Sequence, residues 1–385
     1  MFRFISFFTL IFGGYTYQLA NGWLFLGRQP IDFGDLKYVL DRADCSRDIG
    51  RLVFADYQLD PVCNDFIYGY PLLKFFKFFN VRSQDYVTYG IVSMLIFSIV
   101  AAFFIANLTK LSQKLLILTC LFSPPIILLI ERANIDTFIW LLIILSIFLL
   151  RHNFSYLAIM IISIISSFKF YPSSLALYYL FFVKNNWKRI TLIPIFALVL
   201  ASIIYDLLNI SKFPWDARNM FGNIIWGEYF VYLINGTNSH ANYVLGTGIG
   251  ILLLAVPTFI IFRSQRIMNQ LKFKANSDDL FWHKNLFYIN GIVFFSCYFM
   301  GLSVDYRLIY LALPILCAIE LCKFTSAFKG CVVALLIFSL FASYNVGVFQ
   351  VFGDLAILLL TAILSLIFIK NFVSLKSYLA MNEKF

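Results

Sequence analysis

With 385 residues, 61% of them hydrophobic and only 13% charged, the chain leaves no room for a soluble domain of ordinary size. Apolar runs of about 17–22 residues recur along its whole length, and at about 1.5 Å per helical residue each crosses a hydrocarbon core about 30 Å thick. The formal net charge of +10 sits mostly in the connections between these runs, so membrane topology explains it and no nucleic-acid partner is needed.

In chain order the hydrophobic spans fall near 5–26, 86–108, 115–130, 135–150, 154–168, 171–183, 190–210, 243–262, 286–302, 308–322, 331–349 and 353–369. This pattern predicts an all-α polytopic membrane protein of about 12 transmembrane helices, folded as a single integral membrane domain over residues 1–385. Arg3 precedes the first span, which reads as a retained signal-anchor helix because no small-x-small cleavage site follows it. One alternating set of connections holds more than half of the 30 basic residues and few of the 20 acidic ones, which predicts that this face, with both termini, is cytoplasmic.

The opposite face carries two long connections, 27–85 and 211–242, expected to cover a site. The first is rich in aspartate, beginning with Asp32 and Asp35, and contains an apolar stretch, Phe66–Phe79, punctuated by Lys74 and Lys77. That stretch is too short and too charged to span and reads as an interfacial amphipathic helix. Cys45 and Cys63 share the loop, where a disulfide or two separate thiols are the alternatives. The remaining five cysteines fall in or beside spans. Histidines 152, 240 and 283 are scattered singly, so no histidine-based metal site is expected.

Between the third and fourth spans stands Glu131-Arg132-Ala133-Asn134-Ile135-Asp136, directly after the helix-breaking pair Pro124-Pro125. Each charge would cost about 2.5–3.5 kcal/mol at mid-bilayer, so the cluster belongs at a membrane edge or along a polar cavity. The topology places it on the outer face, with Lys169 and Tyr171 of Phe168-Lys169-Phe170-Tyr171-Pro172 and with Asp305-Tyr306-Arg307. The structural alternative is that each cation snorkels to headgroups or pairs locally, as Arg132 and Asp136 would one helical turn apart. Three cations at a lipid–water boundary suit a phosphate attached to a lipid chain, which assigns Arg132, Lys169 and Arg307 to donor phosphate binding. An acid close to the membrane then serves as base toward a second substrate, with Asp35 the first choice and Asp32 the second. Glu131, Asn134, Asp136 and Tyr171 orient sugar hydroxyls or brace the cations. Trp215, Trp226 and Tyr229 read as interfacial belt residues, with sugar stacking as the alternative.

These residues resemble the GT-C superfamily of membrane glycosyltransferases. The pattern is most similar to glycosyltransferase family 87, the polyprenyl-phosphate-mannose-dependent mannosyltransferases. Asp35-Leu36-Lys37-Tyr38 resembles that family's Asp-Leu-x-Val-Tyr element, and Tyr68-Gly69-Tyr70-Pro71-Leu72 its Tyr-x-Tyr-Pro-Pro-Leu. Arg132–Asp136 resembles its Arg-Gly-Asn-x-Asp, with Ala133 in place of the glycine. Asp305-Tyr306-Arg307-Leu308 resembles a motif near the later spans of related enzymes, which implies orienting roles for Asp305 and Tyr306, as the first element does for Tyr38. The resemblance implies inverting transfer of a hexose, mannose in that family, from a polyprenyl-phosphate carrier to a lipid-linked or glycan acceptor, without a metal or other cofactor. Partners would be membrane lipids, the donor and the acceptor, on the outer side of a bacterial inner membrane. A polymerase or ligase acting on lipid-linked polysaccharide, or a lipid-linked oligosaccharide flippase, are the alternative expectations.

Overall fold

The apolar runs form helices because backbone polar groups in hydrocarbon must be paired within their own segment. The computed structural model describes residues 2–21, 33–48, 70–152, 154–169, 171–175, 220–221, 243–274, 281–299, 303–342 and 348–381. These are almost entirely helical. One short antiparallel ladder pairs Met220–Phe221 (β1) with Ser303–Val304 (β2). Among the described residues, two helices are long and apolar enough to cross a membrane, Ser83–Ala106 and Phe349–Asn371. A third is added if Leu111–Leu121 and Pro124–Glu131, bent by 57°, are one broken span. The chain is therefore a helical membrane protein. Shorter helices lie over most of the other expected spans, whereas 190–210 and most of 171–183 fall outside the described residues.

The chain divides into two compact units. The first contains the described residues up to Ser173, except Ser123–Pro125. Its helices are α1 (Phe2–Asn21), α2 (Gly34–Asp48), α3 (Tyr70–Phe78), α4 (Tyr86–Ala106), α5 (Leu111–Leu121), α6 (Pro124–Glu131), α7 (Ile135–Arg151) and α8 (Ser155–Phe168). α1 lies along α4, with Tyr15 fully buried between them and its hydroxyl donating to the Leu121 carbonyl at 3.1 Å. The Tyr15 ring meets Phe97, whose own ring lies 5.1 Å from Trp140 of α7, so aromatic packing joins three helices. Gly14 permits the close approach: a Cβ there would stand 2.5 Å from the Phe122 ring. α6 opens on Pro124 and Pro125, where the missing N–H groups would have had no helical partner.

α3 bears out the amphipathic reading of its segment. Leu72 and Phe76 are buried, whereas Lys74, Phe75, Lys77 and Phe78 are exposed, and the helix packs on α8 through Phe75 and Phe168. α2 is tied down at its far end by Asp44. That carboxylate accepts from the Ser83 N–H at 2.8 Å and pairs with Arg82 at 3.4 Å, at the start of the turn that leads into α4. Cys45 next to it is disulfide-bonded, and the other described cysteines are free. Cys63, the partner the sequence offers, lies outside the described residues.

The second unit contains the described residues from Ser174 on, with Ser123–Pro125. Its helices are α9 (Tyr243–Arg263), α10 (Gln265–Gln270), α11 (Phe281–Phe299), α12 (Ile309–Leu321), α13 (Ser326–Ala342) and α14 (Val348–Met381). α11 packs on α12, and α14 packs on both α9 and α13. The Phe368 ring of α14 fits against Gly291 of α11, where a Cβ would meet it at 2.6 Å. One amide ties the ends together. Asn371 Oδ1 accepts from Phe273 N at 2.9 Å, and its Nδ2 donates to the carbonyls of Leu271 at 2.9 Å and Ile367 at 2.8 Å.

Candidate functional site

The charged cluster singled out in the sequence is a helix–helix turn. α6 ends at Glu131, and Ala133 follows with φ of +44°. The Ala133 N–H returns to the Ile130 carbonyl at 3.0 Å and the Asn134 N–H to Leu129 at 3.2 Å, the two bonds of a Schellman termination. Glycine is the usual residue at the left-handed position of that motif, and this chain holds Ala133 there. Asn134 then caps α7, its Oδ1 accepting from the Asp136 N–H at 3.0 Å.

The start of α2 docks on this turn through main-chain bonds. Phe33 N donates to the Glu131 carbonyl at 2.8 Å and Leu36 N to the Arg132 carbonyl at 3.2 Å. Unpaired N–H groups of one helix start thus meet unpaired carbonyls of another helix end. Phe33 adopts φ of +54° and presses its ring on Gly90 of α4, where even a Cβ would overlap it.

Asp35, in the first turn of α2, is thereby set against the turn. Its Oδ1 accepts from Arg132 Nη1 at 3.1 Å and its Oδ2 from Asn134 Nδ2 at 2.6 Å. The pair is half-buried, and the Nε–H of Arg132 is buried with no hydrogen-bond partner. On the other side of the turn Asp136 is fully buried. Its Oδ1 accepts from Lys169 Nζ at 2.7 Å and from the Tyr171 hydroxyl at 2.6 Å. The local Arg132–Asp136 pairing entertained from spacing is therefore not the arrangement adopted. The reason is Ala133: the one-turn rule applies within a continuous helix, and a left-handed residue between the two sends them to different partners.

Asp35, Arg132, Asn134, Asp136, Lys169 and Tyr171 thus form two linked clusters in the first unit. Glu131 is buried and contributes its carbonyl to Phe33. Tyr38 is exposed one turn along α2, with the Arg42 guanidinium 4.6 Å from its ring. Arg307 is half-buried in the 3₁₀ turn Asp305–Leu308 of the second unit, which also carries Asp305 and Tyr306. Asp32, Trp215, Trp226 and Tyr229 lie outside the described residues. Among the described residues no group of three or more His, Cys, Asp or Glu is placed to hold a metal ion.

An apolar cavity of about 560 Å³ adjoins the network, a feature that no single sequence segment reveals. Its wall includes Leu36, Ile135 and Phe168, the chain neighbours of Asp35, Asp136 and Lys169. Ile139 and Leu142 continue the wall one and two turns along α7, so the helical period of Ile135 was its only sequence signal.

Comparison of the chain with protein-family models, with curated proteins and with solved structures finds no match.

Proposed function

We propose that this protein is an inverting membrane glycosyltransferase of GT-C type, similar to glycosyltransferase family 87. It moves a hexose, mannose by that resemblance, from a polyprenyl-phosphate carrier to a lipid-linked or glycan acceptor. In this reading about twelve helices cross a bacterial inner membrane, both termini are cytoplasmic and the site faces outward. The observation that carries the reading is the Asp35–Arg132 pair at 3.1 Å beside an apolar cavity. An acid, a cation with a buried donor lacking an acceptor, and space for a lipid chain occur together. The disulfide at Cys45, ten residues along from Asp35 by number, supports an oxidising outer compartment for this end of α2.

The chemistry follows from those groups. An acceptor hydroxyl attacks the anomeric carbon as the bond from that carbon to the phosphate oxygen breaks, and the lipid phosphate leaves with the electron pair. Asp35 takes the hydroxyl proton; each of its oxygens has two lone-pair sites, so the bonds to Arg132 and Asn134 leave one site open on each oxygen. Arg132, with five N–H groups, holds the phosphate and stabilises its charge as it leaves. An arriving phosphate competes with Asp35 for the guanidinium, which loosens the carboxylate when a base is required. The Asp136–Tyr171 anchor fixes the Lys169 ammonium within the same cluster.

The test is transfer of radiolabelled hexose from polyprenyl phosphate to a membrane extract by purified wild type, Asp35→Asn and Arg132→Ala. Asp35→Asn is expected to lose about 10²–10⁴-fold in rate with donor binding retained. Arg132→Ala is expected to lose donor affinity while remaining folded, because a half-exposed pair contributes about 1 kcal/mol or less to stability. Equal transfer by Asp35→Asn and wild type removes Asp35 as the base. No transfer by wild type, with movement of a lipid-linked glycan across proteoliposomes, replaces the enzyme reading by transport.

A further inference from the structure

In the second unit the chain just after α10 pairs with the chain just after α12. Lys274 N donates to the Leu321 carbonyl at 2.8 Å and Lys323 N to the Lys272 carbonyl at 3.1 Å, on either side of an antiparallel bridge between Phe273 and Cys322. Successive side chains of such a ladder point to opposite faces. Phe273 packs on the Phe287 ring and Cys322 is buried, so their face is the inner one. Lys272 therefore lies directly opposite Lys323 on the outer face, and both are exposed. Neutral bonds lock this register. Asn371 ties Phe273 and Leu271 to α14, and Gln270 Oε1 accepts from the Thr325 N–H at 3.1 Å and its hydroxyl at 3.0 Å.

Like charges placed directly opposite on a ladder repel, with their Cβ atoms only about 5 Å apart. Among the described residues no acid pairs with either lysine. Glu320 instead pairs with Lys329 at 3.6 Å, and Lys274 Nζ donates to the Glu320 carbonyl at 2.8 Å. The stretches 263–274 and 321–329 add Arg263 and Arg266 and contain no aspartate or glutamate. Two ammoniums on flexible stems, held at that spacing, converge readily on the oxygens of one phosphate.

What carries the phosphate follows from α9. Leu252, Val256, Phe259 and Ile260 are exposed and recur at i, i+4, i+7 and i+8, so they share one face. Arg263 ends that face at i+11, with its guanidinium 5.1 Å from the Phe259 ring. Exposed apolar side chains that run into cations follow the order of a bilayer leaflet, acyl chains first and phosphates next. A soluble anion or an acidic peptide has no use for the apolar face.

We infer that Lys272 and Lys323 bind the phosphate of an anionic phospholipid from the surrounding bilayer, while Arg263 and Arg266 draw negative headgroups to the same place. The bound lipid relieves the repulsion between the lysines and so stabilises the ladder. This site belongs to the second unit and stands whether or not the protein transfers a sugar.

The experiment uses the full-length protein in phosphatidylcholine nanodiscs, with and without phosphatidylglycerol. The probe is phosphatidylglycerol with a diazirine beside its phosphate. It is expected to label peptides containing Lys272 or Lys323, whereas a matching phosphatidylcholine probe is not. The double variant Lys272→Gln with Lys323→Gln is expected to cut labelling about 25-fold, since about 1 kcal/mol per basic residue near an anionic surface is about fivefold each. Lys77→Gln, which removes an exposed charge from α3, is expected to leave it unchanged. In phosphatidylcholine alone the double variant is expected to unfold no lower than wild type, because it loses only a repulsion. Adding phosphatidylglycerol is expected to raise the unfolding temperature of wild type more than that of the variant. Equal labelling of wild type and double variant, or by the two probes, overturns the inference. So does a double variant that unfolds lower in phosphatidylcholine, which would show the lysines already neutralised within the protein. Suppression of labelling by inorganic phosphate replaces the lipid by a free anion. Suppression by oligoglutamate beyond that by unlabelled phosphatidylglycerol replaces it by an acidic protein.

Discussion

Among the described residues, the polar junctions at Asn371 and at the α6–α7 turn are built from different chemistry. In the second unit Asn371 stitches the connection after α10 to α14 with three neutral hydrogen bonds to main-chain groups, and it carries no charge. In the first unit the turn between α6 and α7 gathers two acids and two cations, and leaves the Arg132 Nε–H buried without an acceptor. A junction needed only for cohesion is served by satisfied neutral groups, since burying charge is costly even when paired. The charged junction retains that cost together with an unmet donor and an apolar cavity at its side. That contrast is the one expected if the charged junction is the site proposed above and the neutral one a structural tie.

The strongest way to break the contrast is at Asp136. Its side chain is fully buried and that of Lys169 is 9% exposed, so Asp136→Ala leaves an ammonium nearly without solvent and is expected to cost about 3–5 kcal/mol, read as a lower unfolding temperature in detergent. The double variant Asp136→Leu with Lys169→Met is expected to regain most of that loss while transferring no sugar. A double variant with wild-type transfer would make this pair a structural tie like Asn371. Next in size, Asn371→Leu strands the Phe273 N–H, leaves the Leu271 carbonyl only the weak Cys322 thiol donor, and is expected to cost about 1–3 kcal/mol. Its transfer rate per folded molecule is expected to match wild type, and a selective loss of transfer would undo the distinction. The smallest effect is Ala133→Gly, expected to stabilise by about 1 kcal/mol because glycine accepts the positive φ that alanine resists. A lower unfolding temperature for that variant contradicts a left-handed turn.

Much of the first junction was legible in the sequence. Charges between two apolar runs, with prolines before them, announced an interruption, and charge counting grouped Lys169 and Tyr171 with it. Asp35 was legible because it follows so closely on the first span. The partners were not legible, because spacing rules assume an unbroken helix and the Schellman turn at Ala133 redirects Arg132 to Asp35 and Asp136 to Lys169. Asn134 was singled out for its chemistry, yet it also serves as the α7 cap, a job its place before an apolar run would have indicated. The cavity was invisible because its wall is drawn from α2, α3, α4, α7 and α8, which no local pattern brings together. The Asn371 tie was equally hidden, since one amide in a long apolar helix gives no hint of a partner 100 residues away.

The docking of α2 on the α6 turn has a consequence for how this sequence is free to diverge. Asp35 reaches Arg132 across 97 positions, yet what sets its address is a pair of peptide N–H groups, at Phe33 and Leu36, meeting two peptide carbonyls. Nineteen of the twenty amino acids carry that N–H, and proline alone lacks it, so the bonds themselves do not depend on the side chains at 33 and 36. What restricts residue 33 is its φ of +54° and the seat of its ring on Gly90. Kindred chains are therefore free to change many letters around the aspartate and still present it at the same spot, provided no proline arrives at 33 or 36 and residue 33 tolerates the left-handed backbone.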